Sequence, residues 1–177
     1  MKFCLLFFLN ILMSLGGLGS ETQKVQSTFF DCAFGTAQEH AVQILDKAEM
    51  KYTVGKSGDL FLSDVEVADV ECDKVGLIFS PISGNFYSIS GSKSYKSKAE
   101  AYEAYDKVLS IFRGRYPRIQ IIRKPIGAEK MSTYLDNDNG FYVGLFKSRN
   151  KEGEIVYYVN VNFWNIFEKK QIAEAVQ

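Results

Sequence analysis

The chain has 177 residues, of which 46% are hydrophobic, and its 21 basic residues balance its 21 acidic ones. A length of this order supports one domain with a single core. Because nucleic-acid binding needs a clustered excess of positive charge, the neutral balance argues against a nucleic-acid partner.

Residues 1–19 have the pattern of a signal peptide. Lys2 precedes an apolar run over residues 3–15, and three glycines follow that run. Signal peptidase reads a charged start, a short apolar run and small residues at the exit, so we expect cleavage before Ser20. The run is shorter than the roughly 20 apolar residues that span a membrane, and Cys4 lies outside the position that a lipid anchor requires.

Cleavage at this position would leave residues 20–177 as a single α+β domain. All 21 acidic residues but only 20 of the 21 basic residues follow the leader, so the predicted mature chain has a net charge of −1. We expect an exported protein, periplasmic or extracellular, with no membrane anchor after cleavage.

Two cysteines follow the leader, Cys32 and Cys72. In an exported chain an even number of cysteines first suggests a disulfide, so we expect a Cys32–Cys72 bond. Closing a loop of about 40 residues would contribute roughly 3 to 4 kcal/mol to stability. The alternative makes Cys32 a nucleophile with His40, but no third orienting group accompanies that pair.

Helix signals occur in three places. A capping-box pattern begins at Thr36, and apolar residues at helical spacing follow it, which predicts a helix over residues 36–50. The same pattern recurs at Ser97 and predicts a helix over residues 97–113. A third, shorter helix is expected from Asn165.

Between and after the helices, apolar and polar residues alternate as in strands. Residues 74–80 and 85–91 are predicted to form a hairpin, and Asn139-Gly140 is typical of a type I′ hairpin turn. Short connections force antiparallel pairing, so we predict an α+β, two-layer fold. Two main helices would pack on one face of a curved antiparallel sheet of about seven to eight strands, in an order compatible with two units of one helix and three to four strands.

The last predicted strand carries a candidate binding surface. If its odd-numbered residues face the helices, its even-numbered aromatic and amide residues face outward. The preceding strand adds two aromatic residues to that face, and the first hairpin adds Phe86, Ser88 and Ser90. Rings bury much area at low entropic cost, whereas amides donate and accept hydrogen bonds. The predicted ligand-binding residues are Tyr142, Phe146, Tyr158, Asn160, Asn162 and Trp164.

The same alternation is also compatible with two purely structural roles. Loops or the C-terminal helix would remove the surface by covering it. Aromatic residues also stabilise sheets through ordinary cross-strand pairs, without any ligand.

No cofactor or metal motif stands out in the sequence. Phosphate-binding loops, paired metal-ligand cysteines and nucleophile elbows are absent, and a single histidine excludes a multi-histidine zinc site. Residues 136–140 resemble the start of a calcium loop, but Phe141 and Lys147 stand where that loop needs glycine and an acidic ligand. We therefore expect no cofactor and no metal, and we interpret the stretch as a polar turn.

Three features carry a resemblance to known families. They are Phe34-Gly35-Thr36 before the first helix, the strands from Val65 to Ile89 with Phe79 and Tyr87, and Ser97-Lys98-Ala99-Glu100. On these features the chain resembles the small exported Bacteroidetes-type proteins of unknown function, and its element order resembles the beta-lactamase-inhibitor-like arrangement of helices and sheet. Both resemblances imply an envelope module with antiparallel sheets, and neither carries over a functional residue. The chain differs from the inhibitor family in having one helix per half instead of two.

Two hypotheses from different functional classes follow. The first is an exported, non-enzymatic binding or interaction module that uses the outward aromatic and amide face to bind a protein or a carbohydrate. The second is a hydrolase of an envelope polymer that acts through carboxylates. It requires a deep pocket with two of the residues Asp136, Asp138, Glu152 and Glu154, one of them with a raised pKa.

Overall fold

The structure is a computed structural model of the chain, and it describes residues 23–122 and 127–175. The predicted signal peptide lies outside the described residues. A small hairpin (β1, Thr28–Phe29; β2, Cys32–Ala33) precedes helix α1 (Gln38–Lys47) and strands β3 (Thr53–Val54), β4 (Leu60–Val67), β5 (Val70–Phe79) and β6 (Phe86–Tyr95). Helix α2 (Lys98–Arg115) precedes β7 (Gln120–Ile121), β8 (Lys130–Leu135), β9 (Asn139–Arg149) and β10 (Ile155–Asn165), and helix α3 (Ile166–Ala175) follows.

Strands β3 to β10 form one antiparallel sheet in the order β3-β4-β5-β6-β10-β9-β8-β7. Each half of the chain is therefore one helix followed by a four-stranded meander, and the last strands of the two meanders pair at the centre. The predicted α+β fold with a sheet of seven to eight antiparallel strands is confirmed.

The hydrophobic core lies between the helices and one face of the sheet, which we call the inner face. Helix α2 buries five residues of its apolar stripe, and α1 buries two. Removal of a large apolar side chain from water contributes about 1.5–3 kcal/mol. The largest inward side chains of the central strands are fully buried, and they include Ile89, Phe141, Leu145, Val161 and Phe163.

The two main helices begin differently. Ser97 caps α2 as predicted, because its hydroxyl accepts a hydrogen bond of 3.2 Å from the backbone N–H of Glu100. The cap predicted at Thr36 does not form. The Thr36 carbonyl accepts instead from the backbone N–H of Phe86, and Ala37 makes a β-bridge with Asn85, so α1 begins only at Gln38.

The Asn139-Gly140 turn is a second correction. Both residues lie inside β9, and neither has the positive φ that a type I′ turn requires. The chain reverses one step earlier, because the Asp136 carboxylate accepts hydrogen bonds from the backbone N–H groups of Asp138 and Asn139 at 2.8 and 2.7 Å. An aspartate that binds its own following backbone makes such a turn without glycine.

The predicted Cys32–Cys72 disulfide is wrong, because both residues are free, buried thiols. Cys32 pairs with Phe29, whose ring packs on Phe163 with 4.9 Å between centroids. Cys72 lies on β5 five residues from Leu77, which shares a row of the sheet with Phe163. Cys72 and Leu77 are about 17 Å apart along β5. The Phe163 row near Cys32 is therefore far from Cys72 compared with the roughly 7 Å between Cα atoms that a disulfide allows.

The free thiols can be tested by alkylation. Burial raises the pKa of Cys72 to about 11 and also raises the pKa of Cys32, so few thiolates exist at neutral pH. We expect both residues to resist iodoacetamide in the native protein and to react fully in denaturant without reductant, as located by peptide mass spectrometry. Labelling in denaturant only after reduction would establish the disulfide instead.

Gly91 lies in the core at a position with no room for a side chain. A Cβ atom there would lie 2.6 Å from Cys72 Sγ and 3.3 Å from Val161 Cγ2. Gly91→Ala should therefore lower the free energy of unfolding by about 1–3 kcal/mol in urea titrations. Gly114→Ala is the matched control, because nothing lies within 4 Å of its Cβ position in α2, and it should raise stability by up to about 1 kcal/mol. Equal stabilities of the two variants would contradict this packing.

Candidate ligand-binding face

The sheet face opposite α1 and α2, here called the outer face, carries the six predicted residues. Val159, Val161 and Phe163 of β10 are buried in the core, so the residues between them point to the other side. The β10–β9 register places Asn162 opposite Tyr142. On β9 and β10 together, the outward aromatic and amide side chains are Tyr142, Phe146, Tyr158, Asn160, Asn162 and Trp164. Their role in ligand binding stays a prediction.

Four rings form a continuous series on this face, which we call the aromatic track. The centroids of Trp164 and Tyr142 are 6.0 Å apart, and those of Tyr142 and Phe146 are 6.3 Å apart. Phe146 and Tyr158 stack at 5.3 Å with an interplanar angle of 13°. All four side chains are half-buried, so parts of the rings remain open to solvent.

Two glycines leave the space that the Phe146 and Trp164 rings occupy. A Cβ on Gly144 would lie 2.4 Å from the Phe146 ring, and a Cβ on Gly140 would lie 2.6 Å from the Trp164 ring. Any larger residue at either position would push a ring off the sheet. Period-two alternation places Gly144 on this face, but the sequence indicated no role for it there, and Gly140 was missed because it was assigned to a turn.

Beside the track, β10 and β6 are joined by an asparagine–serine ladder. Asn160 Nδ2 donates to Ser90 Oγ at 2.9 Å and to the Gly91 carbonyl at 3.0 Å. Asn162 Nδ2 repeats the arrangement two residues along, with Ser88 Oγ at 3.2 Å and the backbone carbonyl of residue 89 at 3.0 Å. Since side-chain amides here bind backbone carbonyls, they reinforce the central strand pair.

Asn160 has a buried oxygen with no hydrogen-bond partner among the described residues. The residue is only 7% exposed, and its Oδ1 atom is unpaired. Because Nδ2 faces β6, Oδ1 on the same planar group faces β9, where Gly144 is the cross-strand partner. A buried acceptor left unpaired costs about 1–3 kcal/mol, so this oxygen is a strong site for a donor.

Helix α3 borders one end of the outer face. Asn165 Oδ1 accepts from the backbone N–H of Glu168 at 3.0 Å and caps the helix where it was predicted to begin. The ammonium group of Lys169 lies 4.0 Å from the centroid of the Trp164 ring, and burial lowers the pKa of Lys169. Trp164 is therefore flanked by α3 but not buried under it. No periodic pattern in the sequence marks Lys169, because α3 buries none of its described residues.

The centre of the outer face is uncharged. Within the described chain, the outward residues of β6, β9 and β10 are serines, glycines, asparagines, aromatic residues and one valine. Burial raises the pKa of Tyr142, with a smaller contribution from Tyr158, so its phenol stays neutral at physiological pH. Phe86 was expected on this face but lies in the core, because the β5–β6 register shifts at Ile78/Phe79.

The four acidic residues of the hydrolase hypothesis lie as two pairs in separate turns. Asp136 and Asp138 lie in the β8–β9 turn, whereas Glu152 and Glu154 lie in the β9–β10 turn at the other end of β9, about 35 Å away along an extended strand. Asp136 is engaged in the hydrogen bonds of its own turn.

Two cavities lie at the edges of the sheet, and none of the four acids lines either of them. One of about 250 Å³ is bordered by Arg118, Gln120 and Leu135, and one of about 590 Å³ is bordered by Lys51, Phe61 and Lys74. Over residues 23–122 and 127–175, no three His, Cys, Asp or Glu side chains are grouped to hold a metal ion.

Comparison with known proteins gives no relative. No protein-family model, no curated protein and no solved structure matches the chain. Among the described helices, none is long and apolar enough to cross a membrane.

Trp164 is the only tryptophan in the chain, so its fluorescence reports on this face alone. Lys169→Ala should shift the emission to longer wavelength and increase quenching by acrylamide, because the ring loses its cover. Stability should fall by less than about 1 kcal/mol, the usual size of a cation–π contact. Lys170→Ala is the control, because Lys170 pairs with Glu174 instead. A spectrum of Lys169→Ala identical to that of the wild type would contradict the contact.

Proposed function

We propose that this chain is an exported, non-enzymatic binding module whose outer face recognises a partner in the cell envelope or outside the cell. Export follows from the signal-peptide pattern of residues 1–19. The resemblance to small exported Bacteroidetes-type proteins and to the inhibitor-like arrangement supports the same location.

The aromatic track is the observation that carries the proposal. Contiguous half-exposed rings on a soluble domain usually mark a binding surface, since exposed apolar groups are otherwise costly. Ordinary cross-strand pairing accounts for contacts between neighbouring rings but not for a buried oxygen left without a donor beside them. The track and the unpaired oxygen together favour a ligand.

Retention on an immobilised envelope fraction from the producing cells tests this proposal. Truncating a central aromatic residue of an interface typically costs about 2 kcal/mol or more, so Trp164→Ala should weaken retention roughly 30-fold. Circular dichroism and thermal unfolding would verify that the variant is folded.

Phe167→Ala is the matched control for this experiment. Phe167 is an aromatic residue of α3 with 67% of its surface exposed, and it lies about 200° around the helix from Lys169. It should be retained like the wild type. Equal retention of Trp164→Ala and wild type, or an equal loss in Phe167→Ala, would contradict a binding role of the outer face.

A further inference from the structure

We propose that the ligand of the outer face is a neutral glycan, a chain of uncharged sugar units that lies along the aromatic track and donates a hydroxyl hydrogen bond to Asn160 Oδ1. This inference rests on the proposed binding function and names the class of ligand. It is carried by four properties of the face: its unpaired acceptor, its hydroxyl and amide content, its lack of charge and its open shape.

The buried Oδ1 atom of Asn160 lacks a hydrogen-bond donor. Its amide nitrogen is already committed to Ser90 and Gly91, so the side chain cannot rotate to satisfy Oδ1 without losing both bonds. The oxygen faces the side of β9, where the Phe146 ring lies over Gly144. Asn160 Oδ1 has almost no exposed surface, so a ligand hydroxyl reaches it only when the Phe146 ring swings off Gly144. A ligand that stacks beside this ring and carries hydroxyl groups then brings a donor to the place where one is missing.

The polar residues of the face favour a glycan over a protein. The β6 side of the ladder presents Ser90 and Ser92 outward, next to two asparagines, whereas Ser88 is buried and its hydroxyl donates to the Phe163 carbonyl at 3.0 Å. Serine is depleted at the centres of protein–protein interfaces, which are built from large apolar and aromatic groups. Closely spaced hydroxyl and amide groups beside rings match a sugar, which has hydroxyl groups around its edge and C–H groups on its faces.

The lack of charge on the outer face favours a neutral glycan over an anionic one. The described outward residues of β6, β9 and β10 carry no charge. Lys169 places a single cation over the Trp164 end of the track, and Lys74 lies on β5 beyond β6. An anionic polymer would need several cations along its path. A neutral chain fits this surface without leaving charges of its own unpaired.

The shape favours a chain over a small molecule. Small-molecule sites are concave and enclose most of their ligand. Neither the cavity beside Arg118 nor the one beside Lys51 is lined by a residue of the track. The four rings follow one another at 5.3 to 6.3 Å, so successive sugar units of a chain can each meet a ring.

To test the ligand class, the immobilised envelope fraction is treated with periodate or with proteinase K before retention is measured. Periodate cleaves the vicinal diols of sugars, and proteinase K digests proteins. We expect periodate to abolish retention of the wild-type protein, proteinase K to leave it unchanged, and 1 M NaCl to reduce it less than threefold, since salt screens only charged contacts.

A pair of asparagine variants tests the role of the unpaired oxygen. Asn160→Leu and Asn162→Leu each remove a pair of ladder hydrogen bonds, but only Asn160→Leu also removes the unpaired buried acceptor. With both variants verified as folded, we expect at least a tenfold loss of retention for Asn160→Leu and at least a fivefold smaller effect for Asn162→Leu. Equal losses would remove Asn160 Oδ1 from the proposal.

Three other outcomes would overturn different parts of the proposal. Retention that depends on Trp164 but is destroyed by proteinase K identifies a protein partner and overturns the glycan while leaving the binding function in place. Retention lost in 1 M NaCl overturns neutrality. Retention that is independent of Trp164 overturns the proposed function itself.

Discussion

The pairing of β6 with β10 is the constraint on which the rest of the structure depends. The two meanders join along these strands, through eight residue pairs from Tyr157 and Tyr95 to Trp164 and Ser88. On the inner face, α2 packs across this seam, and its Phe112 lies 5.8 Å from Phe163 between ring centroids. On the outer face, the asparagine–serine ladder binds across the same seam. The candidate site is therefore built on central strands of the sheet, each paired on both sides, and sites on regular elements hold side chains more precisely than sites on loops.

Rigidity at this place also explains why an unpaired oxygen can persist. A flexible surface would turn Asn160 toward water, but here two hydrogen bonds to β6 fix its amide group. The glycine opposite it on β9 leaves room for the Phe146 ring, which lies over that glycine. The unpaired acceptor lowers the stability of the fold, and the packing of the core on the other side of the same strands offsets this loss. Local destabilisation supported by a well-packed scaffold is typical of binding sites.

Much of this architecture could be predicted from the sequence, because one face of the sheet is buried and period-two alternation then fixes the direction of every side chain. This alternation in β10 was enough to place Tyr158, Asn160 and Trp164 outward. The errors occurred where a long-range contact overrides a local pattern. Thr36 has the pattern of a helix cap, but its backbone carbonyl is hydrogen-bonded to β6. Phe86 follows a shift in the β5–β6 register that no local sequence pattern indicates. The unpaired oxygen of Asn160 depends on both neighbouring strands, so the pattern of β10 alone could not predict it.

The most direct measurement is nuclear magnetic resonance of the protein, labelled with ¹⁵N, during titration with glycan solubilised from the envelope fraction. The side-chain amide signals of Asn160 and Asn162 and the indole N–H of Trp164 report on the ladder and the track separately. A binding face predicts that these signals shift together and saturate, while backbone signals at the edge cavity beside Lys51 stay unchanged. Shifts confined to that cavity or to the hairpin turns, with the asparagine and indole signals unmoved, would contradict the assignment of the outer face as the binding site.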